Sequence, residues 1–125
     1  MVRRTTRTVT LASPLLDALL ERTGTFSRSA LVYALLSDLA TGVYRPRWYT
    51  PPQRPQGEWD LQPRAERLTR HPTTAARQSS GKVRFALSDA EHADVQACVR
   101  GGVPMAARRV IEDFVSGAYR PSWYA

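Results

Sequence analysis

Cysteine, histidine and lysine are scarce in this chain: Cys98 stands alone, the histidines are His71 and His92, and Lys82 is the sole lysine. A single cysteine excludes an internal disulfide. His92 and Cys98, on one expected helix, are too poorly spaced to share a metal ion. No apolar run reaches the roughly 18 residues that span a bilayer. The stretch from Met1 to Ala12 carries arginines and threonines without the apolar core of a signal peptide. A Ser/His/Asp constellation, paired catalytic acids and a glycine-rich phosphate loop are also missing. The expectation is a cytoplasmic protein without membrane segment, metal or cofactor, and not an enzyme.

What is present in excess is positive charge: 18 basic against 11 acidic residues give a net +7 and a sequence pI near 10.5. With one lysine, arginine supplies 18 − 1 = 17 of the cations, and its planar fork grips phosphate oxygens and guanine edges bidentately. A polyanionic partner such as a nucleic acid fits this balance; the bland alternative is a well-solvated basic surface. At 125 residues with 42% hydrophobic content the chain suffices for one small core. Nine prolines and seven glycines point to segments outside regular structure.

An internal repeat organises the chain. Gly42-Val43-Tyr44-Arg45-Pro46-Arg47-Trp48-Tyr49 returns as Gly117-Ala118-Tyr119-Arg120-Pro121-Ser122-Trp123-Tyr124, an offset of 119 − 44 = 75. Carried backward, that offset lays Leu31, Leu35, Leu36, Asp38 and Leu39 on Ala106, Val110, Ile111, Asp113 and Phe114, so the match includes a preceding helix. The expected organisation is a first unit over 1–49, a Pro/Arg-rich linker over 50–81 and a second unit over 82–125, the two units folding as one domain. The linker holds Pro51, Pro52, Pro55, Pro63 and Pro72 and no sustained apolar period. A short helix near Arg64 to Arg70 is compatible with its composition but has no strong core face.

Each unit reads strand, helix, helix. Thr8-Val9-Thr10-Leu11 alternates polar and apolar residues, the pattern of a short strand with one buried face. Ser13-Pro14 opens a helix carrying Leu15, Leu16, Leu19 and Leu20, which Gly24 ends. Ser27 caps a second helix that stops at Gly42. The second unit repeats the order with Arg84-Phe85-Ala86-Leu87, a capping box in Ser88-Asp89-Ala90-Glu91, a turn at Gly101-Gly102, and a helix opened by Pro104. The strands align at an offset of 76 against 75 for the second helices, which requires a one-residue insertion. Asp38 and Asp113 read as solvated helix residues beside apolar faces. One short strand cannot stand alone, so each unit's strand is expected to pair antiparallel with the other's, and the linker's random-coil reach of roughly 30 Å permits this.

These residues resemble the ribbon-helix-helix family of DNA-binding proteins, which includes the Arc and methionine repressors. Thr8-Val9-Thr10-Leu11 looks like the family's strand and Ser27-Arg28-Ser29-Ala30-Leu31 like the start of its second helix; Gly102-Val103-Pro104-Met105-Ala106 departs from that pattern. The resemblance implies a mainly α fold with a two-stranded antiparallel ribbon, in tandem form a single-chain pseudo-dimer. It also implies a ribbon that enters the major groove and second helices whose N-termini hold flanking phosphates. With Val9, Leu11, Phe85 and Leu87 facing the core, Thr8, Thr10, Lys82, Arg84 and Ala86 face out as candidates for base readout. The two strands differ, so the expected site has unlike halves. The phosphate candidates are Arg3, Arg4 and Arg7 as an arm before the first strand, Ser27, Arg28 and Ser29 at one helix start, and Gly102 and Val103 at the other.

The implied roles are transcriptional repression or autoregulation, or an accessory part in plasmid transfer or partition, with side-by-side self-association on DNA as a further expectation. The alternative is an antitoxin-like or other protein-interaction module, for which the linker is the sizeable candidate extension, although it lacks an amphipathic face. For the repeated aromatic tails three accounts compete: a strap over the tail's own half, a contact with a neighbouring molecule on DNA, or a contact with nucleic acid.

Overall fold

In the computed structural model of the protein, residues 5–23, 28–49, 59 and 82–121 are described. They form β1 (Thr5–Thr10), α1 (Ser13–Thr23), α2 (Arg28–Ala40), β2 (Lys82–Leu87), α3 (Asp89–Cys98) and α4 (Gly102–Ser116). The fold is mostly helical, with one two-stranded antiparallel sheet made by β1 and β2. Arg3, Arg4, Ser27 and the stretch Arg64 to Arg70 lie outside the described residues.

The ribbon has one wet and one dry face. Val83, Phe85 and Leu87 of β2 and Val9 of β1 are buried, whereas Thr8, Thr10, Lys82 and Arg84 are exposed, as the period of two requires. The dry face packs on the helices, mainly on α2 and α4. Leu31, Leu35, Leu36 and Leu39 of α2 meet Val103, Val110, Ile111 and Phe114 of α4 in one core, with Leu16 and Leu19 of α1 and Val95 of α3 at its flanks. Helix α2 is buried almost all round, since Val32, Ala34, Ser37, Asp38 and Ala40 are also inside; a helix apolar on every side belongs at the centre of a fold. Full burial of side chains such as Phe85 and Phe114 contributes about 1.5–3 kcal/mol each.

The pairing register agrees with the offset of 76 at which the strands align in the sequence. Thr8 lies opposite Arg84, at an offset of 84 − 8 = 76, whereas the tail tyrosines are 75 apart. The extra residue of the first half therefore falls between the start of α1 and the body of α2. There α1 runs 11 residues and its counterpart α3 runs 10.

Several boundaries differ from those read in the sequence, β2 among them, which begins at Lys82 and not at Arg84. β1 begins at Thr5, so Arg7 is inside the strand and not in an arm before it; threonines are good strand formers, and pairing with β2 recruits them without an apolar signal. Leu11 follows the strand and is still buried. Helix α4 starts at Gly102, two residues before Pro104, after Gly101 in a left-handed conformation.

Candidate nucleic-acid interface

The outer face of the ribbon is built from three facing pairs: Thr6 with Ala86, Thr8 with Arg84, and Thr10 with Lys82. All are exposed except the half-buried Ala86. The candidates Thr8, Thr10, Lys82, Arg84 and Ala86 thus share one surface, and Thr6 joins them; an alternation carried two residues further toward the N-terminus would have found it. The cations stand on β2 only. The face grades from charged at the Thr10–Lys82 end, through Arg84 at its centre, to neutral at the Thr6–Ala86 end. Three hydroxyl-and-methyl side chains, a guanidinium and an ammonium on a two-stranded ribbon are the chemistry that base edges in a major groove accept.

Arg7 faces the other way. It shares the parity of Val9, is half-buried, and its Nε is buried without a hydrogen-bond partner. Its charge is felt by His92 on α3, whose pKa is lowered first by burial and then by Arg7, against an opposing pull from Asp89.

The two second-helix starts are unlike. At α2, Ser29 is exposed. At α4 the N-cap is Gly101, with no side chain to cap the first turn. The Gly102 N–H donates to Val99 O at 3.4 Å, and the Val103 side chain is in the core, so these two positions have only backbone to offer an anion. The start of α3, by contrast, is closed by its capping box: Ser88 Oγ accepts from Glu91 N at 3.1 Å and Ser88 N donates to Glu91 Oε1 at 2.8 Å. The other Glu91 oxygen accepts from Tyr33 OH of α2 at 2.8 Å.

At the C-terminal ends of α2 and α4 the repeated tails form a reciprocal clasp. Both helices stop on a left-handed glycine, Gly42 at φ 79° and Gly117 at φ 86°, a conformation that a side chain would strain. Both tails then turn back, with Tyr44 N donating to Asp38 O and Tyr119 N to Asp113 O. The two tyrosine rings stack at 3.8 Å between centroids. Each hydroxyl crosses to the other half: Tyr44 OH donates to Asp113 and Tyr119 OH to Asp38. Trp48 Nε1 adds a second donor to Asp113 at 2.9 Å.

Asp38 and Asp113 are therefore not solvated helix residues. Asp38 is fully buried and Asp113 half-buried, and both act as acceptors for the opposite tail. The first tail is not a strap over its own half alone, because its aromatic donors, Tyr44 OH and Trp48 Nε1, both bond Asp113 of the second. Burial and the Asp113 carboxylate push the Tyr44 phenol well above its ordinary value, so it remains a donor. Burial raises Tyr49 as well, followed by the influence of Cys98, with Arg45 opposing.

No protein-family model, curated protein or solved structure matches the chain.

Sequence reasoning also missed Trp59, a linker residue whose Nε1 donates to Asp94 Oδ2 at 2.9 Å and whose ring meets Tyr33 at 5.4 Å. Cys98 is fully buried; burial, then Asp94, pushes its thiol up to about 11, which suits an inert core residue. Among the described residues no cluster of His, Cys, Asp and Glu could hold a metal ion, and no helix is long and apolar enough to cross a membrane.

Proposed function

We propose that the chain is a tandem ribbon-helix-helix pseudo-dimer that binds double-stranded DNA sequence-specifically, with the outer face of the β1–β2 ribbon in the major groove. The observation that carries this reading is the facing pair Thr8–Arg84, exposed at the middle of a ribbon whose other face packs Val9, Val83, Phe85 and Leu87 into the core. Arg84 supplies a fork for guanine N7 and O6, and the threonines supply hydroxyls for base edges and methyls for thymine. The net charge of +7 gives the sequence-independent attraction that brings a duplex to that face. Repression of a promoter and assistance to plasmid transfer or partition are the two outlets for such binding.

The antitoxin-like alternative needs a linker free to fold on a partner, and at Trp59 the linker is instead bonded to the body of the protein.

The test is fluorescence anisotropy with the DNA upstream of the chain's own gene and with a pool of random duplexes, titrated with salt, for wild type and Arg84→Ala. The expected result is tight binding to selected duplexes that weakens steeply with salt. Arg84→Ala should cost about 1–3 kcal/mol and relax the base preference at one position. Absence of duplex binding by the wild type at low salt would overturn the reading.

A further inference from the structure

The ribbon pair and the tyrosine stack lie on one axis. Thr8 and Arg84, equivalent in the repeat, face each other in the sheet, and Tyr44 and Tyr119, also equivalent, face each other in the stack. The operation that exchanges the halves must pass through both pairs. Among the described residues nothing covers the ribbon's outer face, so the helices and the clasp lie on its inner side. Both tyrosines are partly exposed, which puts the stack at the surface and not within the core. The ribbon and the clasp thus occupy opposite poles of the molecule.

The clasp pole is cationic. Arg45 and Arg120, equivalent positions next to the stacked tyrosines, are both exposed, as is Arg47. The inward side chains of the first tail, Trp48 and Tyr49, are half-buried and buried, so its arginines point outward from an anchored base. Arg45 spends its Nε on Gly42 O at 3.1 Å, which leaves the rest of its fork. The carboxylates of the clasp turn inward to aromatic donors, Asp113 to Tyr44 and Trp48 and the buried Asp38 to Tyr119, so the charged side chains that the tails expose are arginines.

We propose that this clasp pole is a second, sequence-independent binding surface for a DNA backbone, so that one molecule bridges two duplexes. The inference rests on the ribbon reading for its first duplex. Guanidinium forks suit phosphate oxygens. Two arginines related by a two-fold also match the dyad that every duplex carries perpendicular to its axis, where the phosphates of the two strands are themselves related by a two-fold. An acidic peptide has no such symmetry.

The experiment loads the full chain onto a bead-held duplex containing its selected site, washes, and adds a labelled duplex that lacks the site. Wild type should retain the labelled duplex. Arg47→Glu/Arg120→Glu, which leaves the Arg45–Gly42 bond in place, should load equally but retain at least about tenfold less, since each lost phosphate contact weakens backbone binding.

Loaded wild type that retains no labelled duplex, equal retention by the double variant, or retention of labelled polyglutamate in place of duplex would each overturn the proposal. Equal retention is also the outcome expected if the bridge were made by self-association. Wild type that fails to load marks a failure of the ribbon reading. The pole is then tested by anisotropy with the same labelled duplex, where equal affinities of wild type and double variant overturn it.

Discussion

Asp38 and Asp113 show how this protein handles charge side chain by side chain. Both accept from tyrosine hydroxyls, as Glu91 does from Tyr33 and Asp94 from the Trp59 indole. Neutral aromatic donors thus meet the buried carboxylates, while Arg47, Arg84 and Arg120 stand exposed to an outside anion. Tyr44→Phe removes one charge-assisted bond, and urea unfolding should register a loss of about 1.5 kcal/mol. Tyr119→Phe should cost at least as much, because Asp38 is fully buried and Asp113 only half-buried. His92 sets a pH dependence. Its pKa is lowered from 6.5 in the fold, so between that lower value and 6.5 the unfolded chain binds more protons and stability rises with pH. Acidification from pH 7 through 6.5 and below should therefore destabilise the protein, and His92→Gln should flatten that part of the profile in thermal melts.

At the scale of elements, periodicity and capping residues made most of the fold legible. The alternation in Val83–Leu87, the Ser88 cap, and the glycine stops at Gly42 and Gly117 are local signals, and local physics fixes them. The first three residues of β1 were not legible, because Thr5-Thr6-Arg7, without an apolar residue, becomes a strand only through the neighbour it bonds. The clasp was illegible for a related reason: apolar spacing shows that a helix face is buried, not which half covers it, so two aspartates beside those faces read as wet. Of the candidate site, the outward parity of Thr8, Thr10, Lys82 and Arg84 followed from alternation alone, while Arg7 was misplaced with the strand boundary. The capping box offers a check on element energetics. Ser88→Ala should cost about 1 kcal/mol in urea unfolding. Glu91→Ala should cost more, since it also strips the Tyr33 hydroxyl and the Ser88 N–H of their acceptor.

On the scale of the whole molecule, the two halves share one core and one sheet, and among the described residues each strand pairs with the other half's strand. Because both strands belong to one polypeptide, folding should be unimolecular. The thermal midpoint should stay fixed across a hundredfold range of protein concentration, whereas an obligate two-chain assembly would show a midpoint that climbs with concentration. Calorimetry at the two ends of that range distinguishes the cases.

The reciprocal clasp has an evolutionary corollary. Each half carries both the tyrosine that donates and the aspartate that accepts, so a half-length ancestor could have closed the same bonds with an identical copy of itself. Joining two copies in one chain releases them from identity. A codon change in one strand of the ribbon no longer imposes the same change on the other, and Thr8 and Arg84 have diverged at a position where a homodimer would be bound to keep twins. The clasp tyrosines remain twins. The two halves differ on the outer face of the ribbon and agree in the bonds of the clasp.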